Sequence, residues 1–114
     1  MKRNKLLLMV LPVAAVLIAA ICITAVILVT SQTKSDRYYE QLRSARQYLS
    51  EDDFDAVVAA YEAAIEIKPE NPEAYVELAG LYADAGMYDE ALETAQLGLT
   101  ATRDRRLESL VEEL

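Results

Sequence analysis

The amino-acid sequence predicts an all-α protein, a single apolar N-terminal helix followed by two helix hairpins and a short closing helix. Three observations carry that expectation. The first is an uncharged run, LLLMVLPVAAVLIAAICITAVILV, that fills residues 6–29. The second is self-similarity at an offset of 34 residues, in which small and aromatic positions recur together. The third is composition: 3 Gly, 3 Pro and no Trp, with abundant Ala, Leu, Glu and Tyr, favours helices and leaves little turn chemistry for a sheet.

The 114 residues have room for one small folded domain beside the apolar run. The formal net charge of -8 is unevenly spread. Lys2, Arg3 and Lys5 make a basic tail over residues 1–5, while the other 8 basic and all 19 acidic side chains leave residues 31–114 at -11. Such a domain repels phosphate backbones, so no nucleic-acid partner is expected. The acidic excess reads as a solvated helical surface that would steer basic partners toward it. Cys22, the one cysteine, lies inside the apolar run, and there is no histidine. Intramolecular disulfides, cysteine metal clusters and the commonest general base are thereby excluded.

As a helix, the apolar run is longer than the roughly 30 Å hydrocarbon core of a bilayer, and an uncharged helix of this length would need a far larger protein to bury it. A transmembrane helix over residues 6–30 is expected, with Pro12 near its start, where a missing backbone donor matters least. The alternative is a signal peptide cleaved near Val29 and Ser31, against which the run is too long and the cleavage match weak. Lipidation at Cys22 is disfavoured by the preceding Ile21 and by the apolar sequence that continues after it. The basic charges flanking the span nearly balance. A short basic tail resembles an uncleaved signal anchor, which implies a single-pass protein with a cytoplasmic N-terminus and an extracytoplasmic C-terminal domain.

A polar linker is expected over residues 31–36, and two repeats over about 38–71 and 72–103 within residues 37–103. The 34-residue offset aligns Ala45 with Ala79, Tyr48 with Tyr82, Phe54 with Tyr88, Asp55 with Asp89, Val58 with Leu92 and Ile65 with Leu99. Helices are expected at Asp36 to Leu49, Asp53 to Ile67, Pro72 to Ala85 and Tyr88 to Thr100. Pro69 stops the second, Asn71 and Pro72 supply an N-cap and a first-turn proline to the third, and Ala85-Gly86 makes the following turn. Asp55, Asp89 and Glu90 fall in first turns, where negative charge suits the helix dipole. Over residues 104–114, Leu107, Leu110, Val111 and Leu114 stand at helical spacing behind Asp104 or Thr102 as cap, which predicts a closing helix. The aromatic set Tyr48, Phe54, Tyr61, Tyr75, Tyr82 and Tyr88 is expected in the core, with Ala45, Ala64, Ala79 and Gly98 permitting close helix approach.

This period of helix, tight turn and helix resembles the tetratricopeptide repeat from about Tyr38 to Arg103. In the second copy Tyr75, Leu78, Ala79, Tyr82, Tyr88, Ala91 and Gly98 fit the family's pattern, while Ala95 and Arg103 depart from its aromatic and its closing proline. In the first copy Ala45, Tyr48, Tyr61, Ala64 and Pro69 fit. Gln41, Ser44 and Val57 depart, the two polar ones as suits a terminal repeat with no helix packed ahead of it. The resemblance implies a right-handed α-solenoid of two hairpins with a capping helix, and a concave groove lined by the first helix of each repeat. Tyr39, Leu42, Arg43, Arg46, Val76, Glu77, Gly80 and Ala83 are its candidate binding residues. The implied function is a membrane-anchored adaptor or scaffold for a protein or peptide partner in an envelope or secretion assembly. The alternatives are a self-associating structural subunit and a secreted domain released by signal cleavage. Arg43 and Arg46 would meet a partner's carboxylate or pair within the domain. The family's chaperone-tail clamp is set aside, because its lysine and asparagine places hold Leu42 and Arg46 and later ones hold Glu77, Leu107 and Val111. No enzyme activity and no cofactor are expected: nothing in the sequence makes a phosphate loop, a nucleophile with a base, or a spaced ligand set.

Overall fold

The computed structural model describes the backbone of residues 2–114 and the side chains from residue 4 onward. Met1 and the side chains of Lys2 and Arg3, in the expected basic tail, lie outside the described residues. Among the described residues there are five helices: α1 (Lys2–Ser50), α2 (Phe54–Ile67), α3 (Pro72–Asp84), α4 (Tyr88–Thr102) and α5 (Arg105–Glu113). The chain divides into two units, Met1–Thr33 and Lys34–Leu114.

In the first unit, the apolar side chains between Leu6 and Val29 are exposed along the helix, and Cys22 is exposed with them. Among the described residues this is the one helix long and apolar enough to cross a membrane. Residues 31–36, expected as a linker, are themselves helical and belong to α1. The physical reason is local. The stretch holds neither Gly nor Pro to break the ladder, and the Thr30 and Thr33 hydroxyls donate to the carbonyls of Val26 and Val29 at 2.7 and 2.8 Å, satisfying them within the helix.

In the second unit, α2, α3 and α5 begin where a capping side chain is available. Asp53 accepts from the Ala56 N–H at the start of α2, and Asn71 from the Glu73 N–H at the start of α3, with Pro72 in the first turn. Asp104 accepts from the Arg106 N–H to start α5. Only α4 of these four begins without a side-chain cap, at Met87, and Asp89 and Glu90 in its first turn favour its N-terminus instead. Gly86 ends the preceding turn at φ +77°, the left-handed region that its missing Cβ makes accessible.

α3 packs against both α2 and α4, and α5 packs against α4 and α3. One core cluster gathers Tyr38, Leu42 and Ala45 of α1 with Val57, Ala60, Tyr61 and Ala64 of α2 and Ala74 and Leu78 of α3. The other gathers Tyr75, Ala79, Ala95 and Leu107, with Leu110 and Val111 of α5 packed against it, so the apolar stripe of the closing helix is turned inward as its spacing predicts. Four of the six aromatics expected in the core are buried or half-buried, and two are not. Tyr48 and Tyr88 are 36 % and 61 % exposed, because each stands beside a turn at the end of its helix, where no further helix covers it.

Tyr38 is fully buried, and its hydroxyl accepts a hydrogen bond of 3.1 Å from the Ala74 N–H, one of the first-turn donors that α3 cannot satisfy internally. Tyr75 donates to the Pro69 carbonyl at 2.9 Å, which ties the chain between α2 and α3 back to α3.

Arg103 closes α4 at φ 56° and ψ 30°, at the place of the family's proline. A left-handed conformation costs a residue with a Cβ about 1 kcal/mol more than glycine, and helices favour glycine at such an end. Arg103→Gly is therefore expected to raise the thermal midpoint of the Lys34–Leu114 unit by a few degrees, read by circular dichroism of the full chain in detergent. A lower midpoint would show that the arginine side chain contributes more than its backbone costs.

Candidate functional site

The C-terminal part of α1 and the outer face of α3 form the walls of an open cavity of about 390 Å³, lined by Arg46, Leu49, Tyr61, Val76, Glu77, Gly80, Leu81 and Asp84. Helical spacing explains why these residues meet. Glu77, Gly80, Leu81 and Asp84 lie three, four and seven positions apart, which places them along one face of α3. Arg46 and Leu49 are likewise neighbours on α1, and Tyr61 closes the floor from α2.

An ion pair spans the two walls. Arg46 Nη2 donates to Glu77 Oε1 at 2.6 Å, with the arginine side chain 58 % and the glutamate side chain 24 % exposed. The hydrogen bond and the charge of Glu77 hold the Arg46 guanidinium still more firmly protonated than usual. Glu77 Oε2, by contrast, is buried and has no hydrogen-bond partner among the described residues. Burial, then the charge of Glu77 and the approach of the Tyr61 hydroxyl to its carboxylate, push the Tyr61 phenol up to about 12. The cavity thus has an apolar floor, one closed ion pair, one unsatisfied carboxylate oxygen and a second carboxylate, Asp84, at its far end.

Of the eight residues expected in a groove, Arg46, Val76, Glu77 and Gly80 line this cavity together. Tyr39 is exposed on α1 beside it in sequence, its ring edge-on to Tyr38 with centroids 5.3 Å apart. Arg43 is exposed and forms no ion pair among the described residues. Ala83 is half-buried outside the lining. Leu42 is only 2 % exposed and belongs to the core beneath the groove, because its position on α1 turns it toward Val57 and Leu78. Arg46 reaches the carboxylate of α3 rather than standing free for a partner.

Leu49, Tyr61, Leu81 and Asp84 escaped the sequence reading. Leu49 and Asp84 each sit one helical turn beyond an expected groove residue, so extending the periodicity would have found both. Tyr61 gave no such signal, since it comes from a second helix and its hydroxyl reaches the groove through the core.

A model of the tetratricopeptide repeat family matches residues 48–114, which takes in α2 to α5 and the last residues of α1. The comparison with curated proteins finds no match.

Proposed function

The chain belongs to the tetratricopeptide repeat family, whose domains generally bind protein partners, and we propose that it is a membrane-anchored interaction adaptor whose α1–α3 groove holds an extended segment of another protein. The observation that carries this reading is the groove itself: an open cavity walled by α1 and α3, with apolar and charged side chains converging on it from both helices. The exposed apolar stretch of α1 supports the anchor, with residues 6–30 in the bilayer. By analogy with an uncleaved signal anchor, the N-terminus stays cytoplasmic and the repeats, stacked as a short right-handed α-solenoid, stand outside the membrane as a scaffold in an envelope or secretion assembly. The groove offers no nucleophile with a base, and its role is binding rather than catalysis.

A photocrosslinking residue placed at Ala83, beside the groove, is expected to trap a discrete protein partner in intact membranes, while the same residue at Gln96 on α4 traps none. Equal trapping at both positions would remove the groove from the reading. Trapping of a second copy of the chain would favour a self-associating subunit. Protease added to spheroplasts is expected to remove a C-terminal tag from a full-length, membrane-bound chain. A protected tag would reverse the orientation, and a product lacking the first 30 or so residues would replace the anchor with a cleaved signal.

A further inference from the structure

Three residues of the groove are each locally unfavourable for the fold. Gly80 sits in the interior of α3, where glycine weakens a helix relative to alanine, yet a Cβ built there meets nothing within 4 Å. Asp84 is the last residue of α3, where a negative charge opposes the helix dipole, and the last turn holds no basic residue to offset it. Glu77 keeps a buried carboxylate oxygen with no donor. All three line one cavity on one face of one helix, and Gly80 and Asp84 make no contact within the domain that offsets their cost. Local rules broken together in one place mark a surface shaped by something it binds.

Resting on the groove reading above, we propose that the partner segment is basic, and that one of its arginine or lysine side chains lies across Gly80 between Glu77 and Asp84. The bare glycine lets the chain approach the helix closely. A cation there lies against the Glu77 carboxylate and neutralises both Asp84 and the exposed carbonyl end of α3. The one cation of the lining, Arg46, is already bound to Glu77 Oε1, so the groove presents net negative charge. The surrounding domain has the same sign, which steers a basic segment inward.

The test uses the full chain in neutral detergent micelles and three labelled peptides of equal length, alternating Ala with Arg, with Gln or with Glu. The Arg peptide is expected to bind at least tenfold more tightly than the other two. Asp84→Asn and Gly80→Leu are each expected to weaken it about tenfold, whereas Glu112→Gln, an equal loss of charge on the exposed face of α5, leaves it unchanged. Circular dichroism of each variant shows that the fold is retained. If Asp84→Asn and Glu112→Gln weaken binding equally, or the Arg peptide does not bind, the cation site is overturned. If the Gln peptide binds as well as the Arg peptide and is lost in Gly80→Leu, the groove stands and its preference for cations falls. If binding of every peptide survives Gly80→Leu, the groove reading falls as well.

Discussion

Gly98→Leu is expected to abolish cooperative unfolding of the Lys34–Leu114 unit. Gly98 lies where α4 crosses α3 and α5, and a Cβ added there would stand 2.6 Å from Tyr75 Cβ, 2.7 Å from Tyr75 Cγ and 2.8 Å from Leu107 Cδ1. Tyr75 Cβ is rooted in the backbone of α3 and cannot swing aside, so the helices themselves must separate. Even Gly98→Ala must overcome this clash. Overpacking of such a site costs about 1–3 kcal/mol, and the roughly 1 kcal/mol of helix propensity gained offsets only part of it. Leucine adds three more carbons at the same point, and its cost approaches the whole stability of a domain this small, about 5 kcal/mol. The measurement is urea denaturation of the full chain in detergent, followed by circular dichroism. Gly80→Ala is the internal contrast, because the same change in open space is expected to stabilise α3. A well-folded Gly98→Leu chain would show that α5 can leave its seat without loss of the remaining packing.

Above pH 10 the same unit is expected to lose stability steeply. Burial, opposed in part by the Ala74 hydrogen bond and reinforced by nearby carboxylates, raises the Tyr38 phenol from 10.0 to about 12, and burial with Glu77 raises Tyr61 equally. In the unfolded chain both phenols ionise near pH 10, while in the folded chain both remain neutral until about pH 12. The unfolded state therefore binds fewer protons across this window, and stability falls as pH rises through it, while below pH 10 neither phenol contributes any slope. At about 1.4 kcal/mol per unit, each phenol withdraws roughly 2 kcal/mol by pH 12. The loss of far-ultraviolet circular dichroism is expected to coincide with the appearance of the last tyrosinate absorbance, that of the buried phenols. Tyr38→Phe should make the alkaline loss shallower, and at neutral pH it should cost about 1–3 kcal/mol by leaving the Ala74 N–H unsatisfied in the core. Ionisation of all 7 tyrosines well below pH 12 with no loss of helix would mean that both phenols reach solvent in the folded state.

Much of the fold was legible because helix packing writes itself at fixed spacing. Ala45, Ala64, Ala79 and Gly98 recur where helices approach, and all are buried. Asn71, Pro72 and Asp104 punctuate the chain where the helices begin. Tyr38 was less legible. Its burial depends on a backbone donor 36 positions away, and no local pattern marks a side chain that serves another helix. Of the residues that line the cavity, Arg46, Val76, Glu77 and Gly80 were legible, and Leu49 and Asp84 lie a turn beyond them. The family's pattern points to first helices, but which residues of a helix face outward depends on its rotation, and on α1 that rotation buries Leu42 while exposing Arg46. Tyr48 and Tyr88 show the converse, aromatics whose spacing matches the core but whose neighbours end before covering them.

The buried surface is lined to an unusual degree by alanine: Ala45, Ala64, Ala74, Ala79, Ala91 and Ala95 are all fully buried. An alanine side chain surrenders no rotamer freedom on burial, which keeps the entropic cost of ordering the helices low. It also removes little apolar area from water, and the heat capacity of unfolding grows with that area. The unit consequently has a shallow stability curve, with a broad maximum and a gradual loss on either side. Its calorimetric trace is expected to show a broad melting transition with a small heat-capacity step.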